Sequence, residues 1–206
     1  AKIHIPVIHV EAGLRSFNKS MPEEINRISS DHMSTMLFTP TKTGILNLSK
    51  EGFDLIYESK ATIDHPRIYL CGDVMFDNSL YFSEISDKNS EILQDNDLES
   101  DKYILVTIHR DSNTDDPVKL NSIFKALLEL RNEFNLKLVL PIHPRTNARL
   151  ESMLDPEVLD RLREDEDFLI IPPAGFIDII ALEKNARIIV TDSGGLQKEA
   201  FFFKKP

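Results

Sequence analysis

The sequence is poor in glycine and cysteine, and each shortage excludes classes of protein. Its 206 residues include seven glycines, and no two of them stand two positions apart, so the dinucleotide-binding pattern Gly-x-Gly-x-x-Gly is absent. The phosphate-loop pattern Gly-x-x-x-x-Gly-Lys-Ser/Thr and the zinc pattern His-Glu-x-x-His are absent as well. The single cysteine, Cys71, excludes a disulfide framework and a Cys-x-x-Cys metal site.

Long apolar runs are also missing, and basic residues are outnumbered. No run approaches the roughly 18 residues that span a membrane, and no signal peptide is visible, so we expect a cytoplasmic protein. The net charge of −10 argues against a nucleic-acid partner. Stretches 84–101 and 151–167 carry 15 of the 34 acidic residues, which leaves the rest of the chain free to bind an anion.

Short apolar runs alternate with helical segments along the whole chain, and 41% of the residues are hydrophobic. Continuous apolar runs are typical of strands buried on both faces, so the alternation predicts an α/β protein with parallel sheets. The chain begins without Met, close to a strand, and ends just after a helix, so we expect two incomplete sheets. Strands are predicted at Pro6–Val10, Met36–Phe38, Ile68–Leu70, Tyr103–Ile108, Leu136–Leu140, Phe168–Ile171 and Arg187–Val190. Helices are predicted at Glu23–Thr35, Lys42–Lys50, Phe76–Ile85, Pro117–Phe134, Thr146–Leu154, Phe176–Lys184 and Leu196–Phe203, with the polar stretch Ser83–Lys102 as a surface excursion or connection.

The best candidate anion site follows the last predicted strand. Ser193, Gly194 and Gly195 join this strand to a helix, and the first amides of a helix have no acceptor within it. Glu199 lies in the same helix, where its carboxylate would accept hydrogen bonds from ribose hydroxyls. The alternative is an ordinary turn in which Ser193 only caps the helix.

Two histidines follow neighbouring strands of the second half. His109 and Arg110 come after one strand, and His143 with Arg145 repeats the arrangement one unit later. Histidine and arginine at a strand end suit phosphate binding, and histidine also transfers protons. A buried structural histidine beside a surface ion pair is the alternative for each.

The first third of the chain supplies carboxylates for acid–base chemistry. Glu11 ends a buried strand, and Glu23 begins a helix, where an acid also simply complements the helix dipole. Arg15 either neutralises Glu11 or faces a phosphate, and the sequence leaves both open. The periodicity of this helix predicts a buried stripe formed by Ile25, Ile28, His32 and Met36.

Taken together, these segments resemble the non-hydrolysing UDP-N-acetylglucosamine 2-epimerase family. The matching motifs occur in family order from end to end of the chain. They are His9-Val-Glu-Ala-Gly-Leu-Arg15, Pro22-Glu-Glu-Ile-Asn-Arg27, Phe38-Thr-Pro-Thr41, Gly72-Asp-Val74, Thr107-Ile-His-Arg110, Pro141-Ile-His-Pro144 and Thr191-Asp-Ser-Gly-Gly-Leu-Gln197 with Glu199.

The resemblance implies a fold of the GT-B type, with two Rossmann-like domains that are both incomplete in this chain. Residues 1–72 would be the later half of the N-terminal domain, and residues 73–206 most of the C-terminal, UDP-binding domain. It also implies an isomerase that needs neither NAD nor a metal ion, acts on a UDP-sugar, and is a homodimer as the full-length protein.

The same resemblance implies roles for individual residues. Glu11 and Glu23 would be the acid–base carboxylates, and His109 would stabilise the departing UDP diphosphate. Ser193, Gly194, Gly195 and Glu199 would hold diphosphate and ribose, and either Ile179 or Phe176 would lie at the uracil. Arg110 and His143 would contact phosphate or an allosteric substrate site.

Two other functions are compatible with these motifs. One is a GT-B glycosyltransferase, which would transfer the sugar and would not need both Glu11 and Glu23. The other is an inactive fragment that only binds a UDP-sugar. The sequence Thr107-Ile-His-Arg-Asp111 also departs from the commonest family pattern, Gly-His-Arg-Arg-Glu. The sugar of the UDP-amino-sugar substrate therefore stays open.

Overall fold

A computed structural model describes residues 2–56, 60–142 and 144–206, and it divides the chain into two compact units, Ala1–Asp77 and Asn78–Pro206. All seven predicted strands are present, and they pair in parallel within two sheets. The predicted α/β class with parallel sheets is therefore confirmed. The assignment of residues 1–72 and 73–206 to the domains of a larger protein stays a prediction.

The first unit is built on a three-stranded sheet in the order β1-β2-β3. Its small core joins β2 and β3 to α2 through Leu37, Ile68 and Leu48, which are almost completely buried. Thr41 caps α2 by accepting a hydrogen bond from the Gly44 amide at 3.1 Å. The elements are β1 (Ile8–Val10), α1 (Pro22–His32), β2 (Met36–Thr39), α2 (Lys42–Lys50) and β3 (Arg67–Leu70).

The loop that follows β1 packs directly on the backbone of α2. Gly13 has a φ of +77°, and a Cβ atom there would lie 2.5 Å from the carbonyl oxygen of Gly44. Only glycine permits this conformation and this close approach. Asn47 of α2 then donates a hydrogen bond to the Gly13 carbonyl at 2.9 Å. The chain is therefore fixed in position two residues after Glu11.

The second unit is built on a four-stranded sheet in the order β6-β5-β4-β7, with helices on both faces. The residues of β4 alternate between two buried clusters: Ile104 and Val106 pack in one, and Tyr103 and Leu105 in the other. This explains why the strand has no polar alternation. The elements are α3 (Val74–Asn89), α4 (Ile92–Asp95), β4 (Tyr103–Thr107), α5 (Asp111–Thr114), α6 (Pro117–Phe134), β5 (Lys137–Pro141), α7 (Pro144–Met153), α8 (Pro156–Glu164), β6 (Phe168–Ile171), α9 (Phe176–Asn185), β7 (Ile188–Thr191) and α10 (Gly194–Phe202).

The polar stretch Ser83–Lys102 is more structured than its composition predicts. Helix α3 continues through Asn89, and the short helix α4 follows. Ser86 is buried and donates its hydroxyl hydrogen to the Ile177 carbonyl at 2.8 Å, while Leu98 joins the core beside Tyr103. The stretch is mostly exposed or half-buried, as predicted for a surface excursion, and Ser86 and Leu98 anchor it to the rest of the unit.

Helix α6 offers a test of local stability in the second unit. Asp116 caps it by accepting hydrogen bonds from the amides of Val118 and Lys119 at 3.0 and 3.2 Å. We expect Asp116→Ala to lower the free energy of unfolding by about 1 kcal/mol, as losses of caps typically do. Urea denaturation measures this difference. Asp116→Ser is the control and should retain most of the stability, so equal losses in both variants would contradict a capping role.

Candidate functional site

Strands β4 and β7 bring two polar segments to one edge of the second sheet. They are neighbours in parallel register, with Thr107 opposite Thr191, and the two hydroxyl oxygens lie 2.7 Å apart. Because both strands end at this edge, the segment that begins at His109 and the turn that contains Ser193 follow side by side. Ligands of parallel α/β sheets bind at this end of the strands.

Asp192 holds this edge together, although the sequence had not singled it out. Its carboxylate accepts hydrogen bonds from the backbone amides of His109 and Arg110 at 3.2 and 3.0 Å, and from the Asn113 side chain at 3.0 Å. The His109 Nδ1 atom lies 2.9 Å from the Asp192 Oδ1 atom. Burial alone would raise the pKa of Asp192, but the bonds from Arg110, Asn113 and His109 outweigh it and lower the pKa below its usual value. Asp192 is therefore a carboxylate at neutral pH.

The contact with Asp192 fixes what the His109 ring can do. Nδ1 faces the carboxylate at 2.9 Å, so Nε2 is the ring atom left for a ligand or for proton transfer. The side chain is 61% exposed, so this atom is accessible. The alternative of a buried structural histidine was therefore wrong for His109. Arg110 is exposed and contacts Asp192 only through its backbone amide.

The turn before α10 combines a helix cap with open space. The Ser193 hydroxyl accepts a hydrogen bond from the Leu196 amide at 3.4 Å, which is the capping role considered as an alternative. Among the described residues, no atom outside the two chain neighbours and the backbone of α10 lies within 4 Å of the position that a Cβ atom of Gly194 would occupy. A Cβ atom of Gly195 would meet the Ser193 hydroxyl at 3.7 Å. The first amides of α10 and its dipole favour an anion in that space. The cap and an anion site are compatible.

Three further predicted residues belong to α9 and α10. Phe176, the first residue of α9, is 52% exposed, and its ring packs edge-on against Phe82 with centroids 5.0 Å apart. Ile179 is half-buried and packs against the cluster around Tyr103. Glu199 is half-buried, and this burial raises the pKa of its carboxyl above the ordinary value, which Lys198 partly offsets. The predicted residue His143 lies outside the described residues.

In the first unit, the backbone of Glu11 is strained. Its φ is +67°, a conformation that is uncommon for residues other than glycine, and the side chain is half-buried. Such residues persist where neighbouring contacts fix them, and they cluster at functional sites. Glu23 is exposed in the first turn of α1, where it also complements the helix dipole.

Asp31 fixes the chain on both sides of Glu11. This fully buried carboxylate lies 2.6 Å from His9 Nδ1 and accepts a hydrogen bond from the Gly13 amide at 3.0 Å. It also pairs with the Arg15 guanidinium at 2.7 Å. Of these partners, His9 lies two residues before Glu11, Gly13 lies two residues after it, and Arg15 lies further along the loop. Asp31 was not among the residues that the sequence singled out.

The Arg15 side chain is buried and pairs with two acids, Asp31 and Glu51, that neither of its alternatives had named. Its Nε and second terminal nitrogen donate to the two carboxylate oxygens of Glu51 at 2.6 and 2.7 Å. These bonds, together with a weaker one from His32, lower the pKa of Glu51, against the effect of its partial burial. Arg15 is thus part of the structure that holds the loop.

The predicted buried stripe of α1 was wrong. Ile25 is 46% exposed and His32 is exposed, whereas Glu24 and Asp31 are buried. Glu24 accepts hydrogen bonds from the amides of Ser16 and Phe17 at 2.9 and 2.8 Å, and Asp31 has the partners described above. The helix therefore buries its acidic face, because the loop after β1 supplies donors for it.

The described residues show neither a metal-binding cluster nor a membrane-spanning helix. Among the described residues, no group of three or more His, Cys, Asp or Glu side chains is arranged to hold a metal ion. In the same part of the chain, no helix is both long and apolar enough to cross a bilayer.

Two parallel α/β sheets, one with a histidine that faces an aspartate beside the first turn of a helix, define a Rossmann-like protein. Comparison with known proteins gives the family. The sequence profile described as UDP-N-acetylglucosamine 2-epimerase matches residues 1–206. The chain belongs to the UDP-N-acetylglucosamine 2-epimerase family.

Individual relatives agree with this assignment. The chain is 44% identical to a UDP-2,3-diacetamido-2,3-dideoxy-D-glucuronate 2-epimerase of Pseudomonas aeruginosa, covering all of this chain and 52% of that protein. It is 42% identical to a UDP-N-acetylglucosamine 2-epimerase homolog of Methanococcus maripaludis, covering all of this chain and 53% of that protein. The Methanocaldococcus jannaschii UDP-GlcNAc 2-epimerase, crystallised with UDP-GlcNAc and UDP, matches with a TM-score of 0.77 and 39% identity, over all of this chain and 53% of that one.

These matches confirm the predicted family and the predicted GT-B type of fold. The chain spans about half the length of the curated relatives that it matches.

Proposed function

We propose that the protein containing this chain is an isomerase that interconverts UDP-N-acetylglucosamine and UDP-N-acetylmannosamine, or a closely related pair of UDP-amino sugars. The observation that supports it most is the edge of the second sheet. There, Asp192 holds His109 by Nδ1, and the open first turn of α10 follows the neighbouring strand. This arrangement suits a diphosphate that becomes a leaving group.

In this proposal, the second unit binds the nucleotide. The first amides of α10, at Gly194 and Gly195, donate hydrogen bonds to the diphosphate, and the helix dipole stabilises its charge. The Nε2 atom of His109 donates to a diphosphate oxygen as negative charge develops there. Glu199 accepts hydrogen bonds from the ribose hydroxyls, and Phe176 offers an exposed ring to the uracil.

The carboxylates of the first unit carry the proton chemistry. One of Glu11 and Glu23 removes the proton at C2 of the sugar while the bond from C1 to the UDP oxygen breaks, which leaves a 2-acetamidoglucal. UDP then adds back to C1, and the other carboxylate delivers a proton to the opposite face of C2. The strained backbone at Glu11 supports its part, since pre-organised catalytic groups are commonly held in this way.

Deuterium incorporation tests the reaction. We expect the full-length gene product, incubated with UDP-N-acetylglucosamine in D₂O and no added NAD, to give both epimers with deuterium at C2, followed by proton NMR. UDP-2,3-diacetamido-2,3-dideoxy-D-glucuronate should be assayed in parallel, because a relative that is 44% identical to this chain is named as the 2-epimerase of that compound. Epimers that keep the original C2 proton would contradict the elimination mechanism.

The glycosyltransferase alternative makes a different prediction. It would release UDP only when a sugar acceptor is present and would leave the C2 proton in place. The inactive binder would retain UDP without any turnover. One D₂O reaction, run with and without an acceptor sugar, therefore separates the three functions.

The same proposal includes a cytoplasmic homodimer without a cofactor and without a nucleic-acid partner. The net charge of −10 supports the last point, and the family resemblance supports the others. Light scattering of the full-length gene product measures the dimer.

A further inference from the structure

Glu183 is a buried acid that the proposed reaction does not use. It lies in the last turn of α9, is 0% exposed, and neither of its carboxylate oxygens has a hydrogen-bond partner among the described residues. Buried polar atoms are nearly always paired, because an unpaired one costs free energy. A negative charge is further disfavoured in the last turn of a helix by the dipole. This residue therefore needs an explanation.

The position of Glu183 connects it with the nucleoside end of the proposed site. Ile179 lies one helical turn before it on the same face of α9. Helix α10, which carries Glu199, packs against α9. Within α9, Asp178 accepts a hydrogen bond from the Ser90 hydroxyl at 2.6 Å, and Lys184 pairs with Asp87 of α3. The other charged groups on the helices packed against α9 are Glu199 and Lys198 of α10, Asp95 of α4 with the adjacent Glu91, and Asp77, Glu84 and Lys88 of α3.

Of these groups, Glu199 is the one whose charge acts on Glu183. Burial, reinforced by the Glu199 carboxylate, raises the pKa of Glu183 to about 8. Lys184 is engaged with Asp87 at 2.6 Å and does not neutralise the buried acid. Complete burial without a hydrogen-bond partner in the described residues and the raised pKa both favour the neutral acid form of Glu183 at pH 7.

We propose that Glu183 is a positioning residue for nucleotide binding: buried as a neutral acid behind Glu199, it leaves the Glu199 carboxylate as the single charge of the pair, available to ribose hydroxyls. This inference rests on the proposed function, which assigns Glu199 to the ribose. Ionisation of Glu183 places a second negative charge beside Glu199 in a site of low polarity. The two like charges then repel each other, and Glu199 is displaced from the position in which it accepts the ribose hydroxyls. The nucleotide site is consequently weakened at alkaline pH.

The first experiment needs no nucleotide. The chain is labelled at the glutamate carboxyl carbons with ¹³C and titrated from pH 4 to pH 10 by NMR, with Glu183→Gln and Glu199→Gln to assign the two signals. We expect the Glu183 signal to titrate near pH 8 and to shift to lower pH in Glu199→Gln. Titration of Glu183 together with the exposed glutamates, or a midpoint that does not move in Glu199→Gln, overturns the proposal.

The second experiment measures UDP affinity by calorimetry at pH 7 and pH 9 with the full-length gene product. From pH 7 to pH 9, we expect the UDP affinity of the wild-type protein to fall at least fivefold more than that of Glu183→Gln. The parallel measurement on Glu183→Gln cancels the effect of changes in the ionisation of UDP itself. The control is Glu129→Gln, an exposed acid on α6 that should follow the wild type. Equal pH dependence in the wild type and Glu183→Gln overturns the proposal.

The two experiments distinguish a failure of the proposed function from a failure of the role proposed for Glu183. Absence of UDP binding at pH 7 would overturn the proposed function and, with it, the role of Glu183 in binding. The NMR titration would still decide whether Glu183 and Glu199 are coupled.

Discussion

Asp192→Asn is expected to lower kcat for epimerisation by about 10²–10³-fold, with KM changed only a few-fold. Every recorded partner of the Asp192 carboxylate is a donor: the His109 ring, the amides of His109 and Arg110, and the Asn113 side chain. An asparagine must turn its NH₂ group toward one of these donors and carries no charge. It therefore no longer fixes Nε2 of His109 as the free ring atom.

The kinetic separation distinguishes positioning from binding. Because the substrate is held mainly by other groups in the proposed mechanism, losing the orientation of His109 affects the departure of UDP more than affinity. Steady-state kinetics of the full-length gene product gives kcat and KM, and ¹⁵N NMR of the histidine ring reports which nitrogen is protonated. We expect a mixture of tautomers in Asp192→Asn and a single one in the wild type.

Asp155→Asn is the matched control for this experiment. Asp155 is an exposed acid of the same unit, paired with Lys125 at 2.9 Å. Its replacement should leave kcat within twofold of the wild type. An Asp192→Asn enzyme with normal kcat, or with a raised KM as its only defect, would show that Asp192 does not act through His109.

Asp31→Asn should be the most destabilising of the proposed substitutions in the first unit. The Arg15 side chain is 1% exposed and Asp31 is 0% exposed, so their ion pair is shielded from water. Removing one partner of a buried pair leaves the other charge poorly compensated, which typically costs about 3–5 kcal/mol. Glu51 retains a share of the Arg15 charge, so we expect a loss of about 3 kcal/mol.

Hydrogen exchange should show where this loss occurs. The Gly13 amide donates to Asp31, so its exchange should accelerate more than that of amides in the second unit. The control is Asp64→Asn, an exposed acid of the same unit, for which we expect unchanged urea denaturation. A fall in stability with unchanged exchange at Gly13 would show that Asp31 stabilises the unit without holding the loop.

The Asp31→Asn substitution also connects structure with function in the first unit. If Asp31 holds Glu11 through its neighbours His9 and Gly13, then Asp31→Asn will lose activity even at temperatures where it remains folded. A folded variant with full activity would show that the strained φ of Glu11 is maintained without Asp31.

Local sequence patterns were sufficient for the framework of the fold. A run such as Tyr103–Val106 is apolar on every residue, and it occurs in a strand covered on both faces, as predicted. Helices Lys42–Lys50 and Pro117–Phe134 have the predicted bounds, because a capping Thr41 or Asp116 stands before each. The motifs after the strands also gave the family, which is confirmed.

The burial of charged residues was not predictable in the same way. Hydrophobic periodicity placed Ile25 inside α1, whereas the structure buries Glu24 and Asp31 there. Their burial depends on backbone amide donors in the loop at Gly13–Phe17. This loop lies outside α1, so the hydrophobic periodicity of the helix does not reveal these hydrogen bonds. Glu183 is a similar case, since nothing in its neighbouring residues distinguishes it from a surface acid.

The sequence by itself determined the order of the seven strands, the parallel α/β class and the family, because each depends on apolar periodicity or on short motifs of adjacent residues. Only the tertiary structure decided which acids are buried and what they contact. Asp192 meets His109, Asp31 meets Arg15, and Glu183 is buried on a helix packed against α10, without a hydrogen-bond partner in the described part of the chain. The charge state and orientation of a carboxylate depend on donors and dielectric from other elements, and folding alone brings these together.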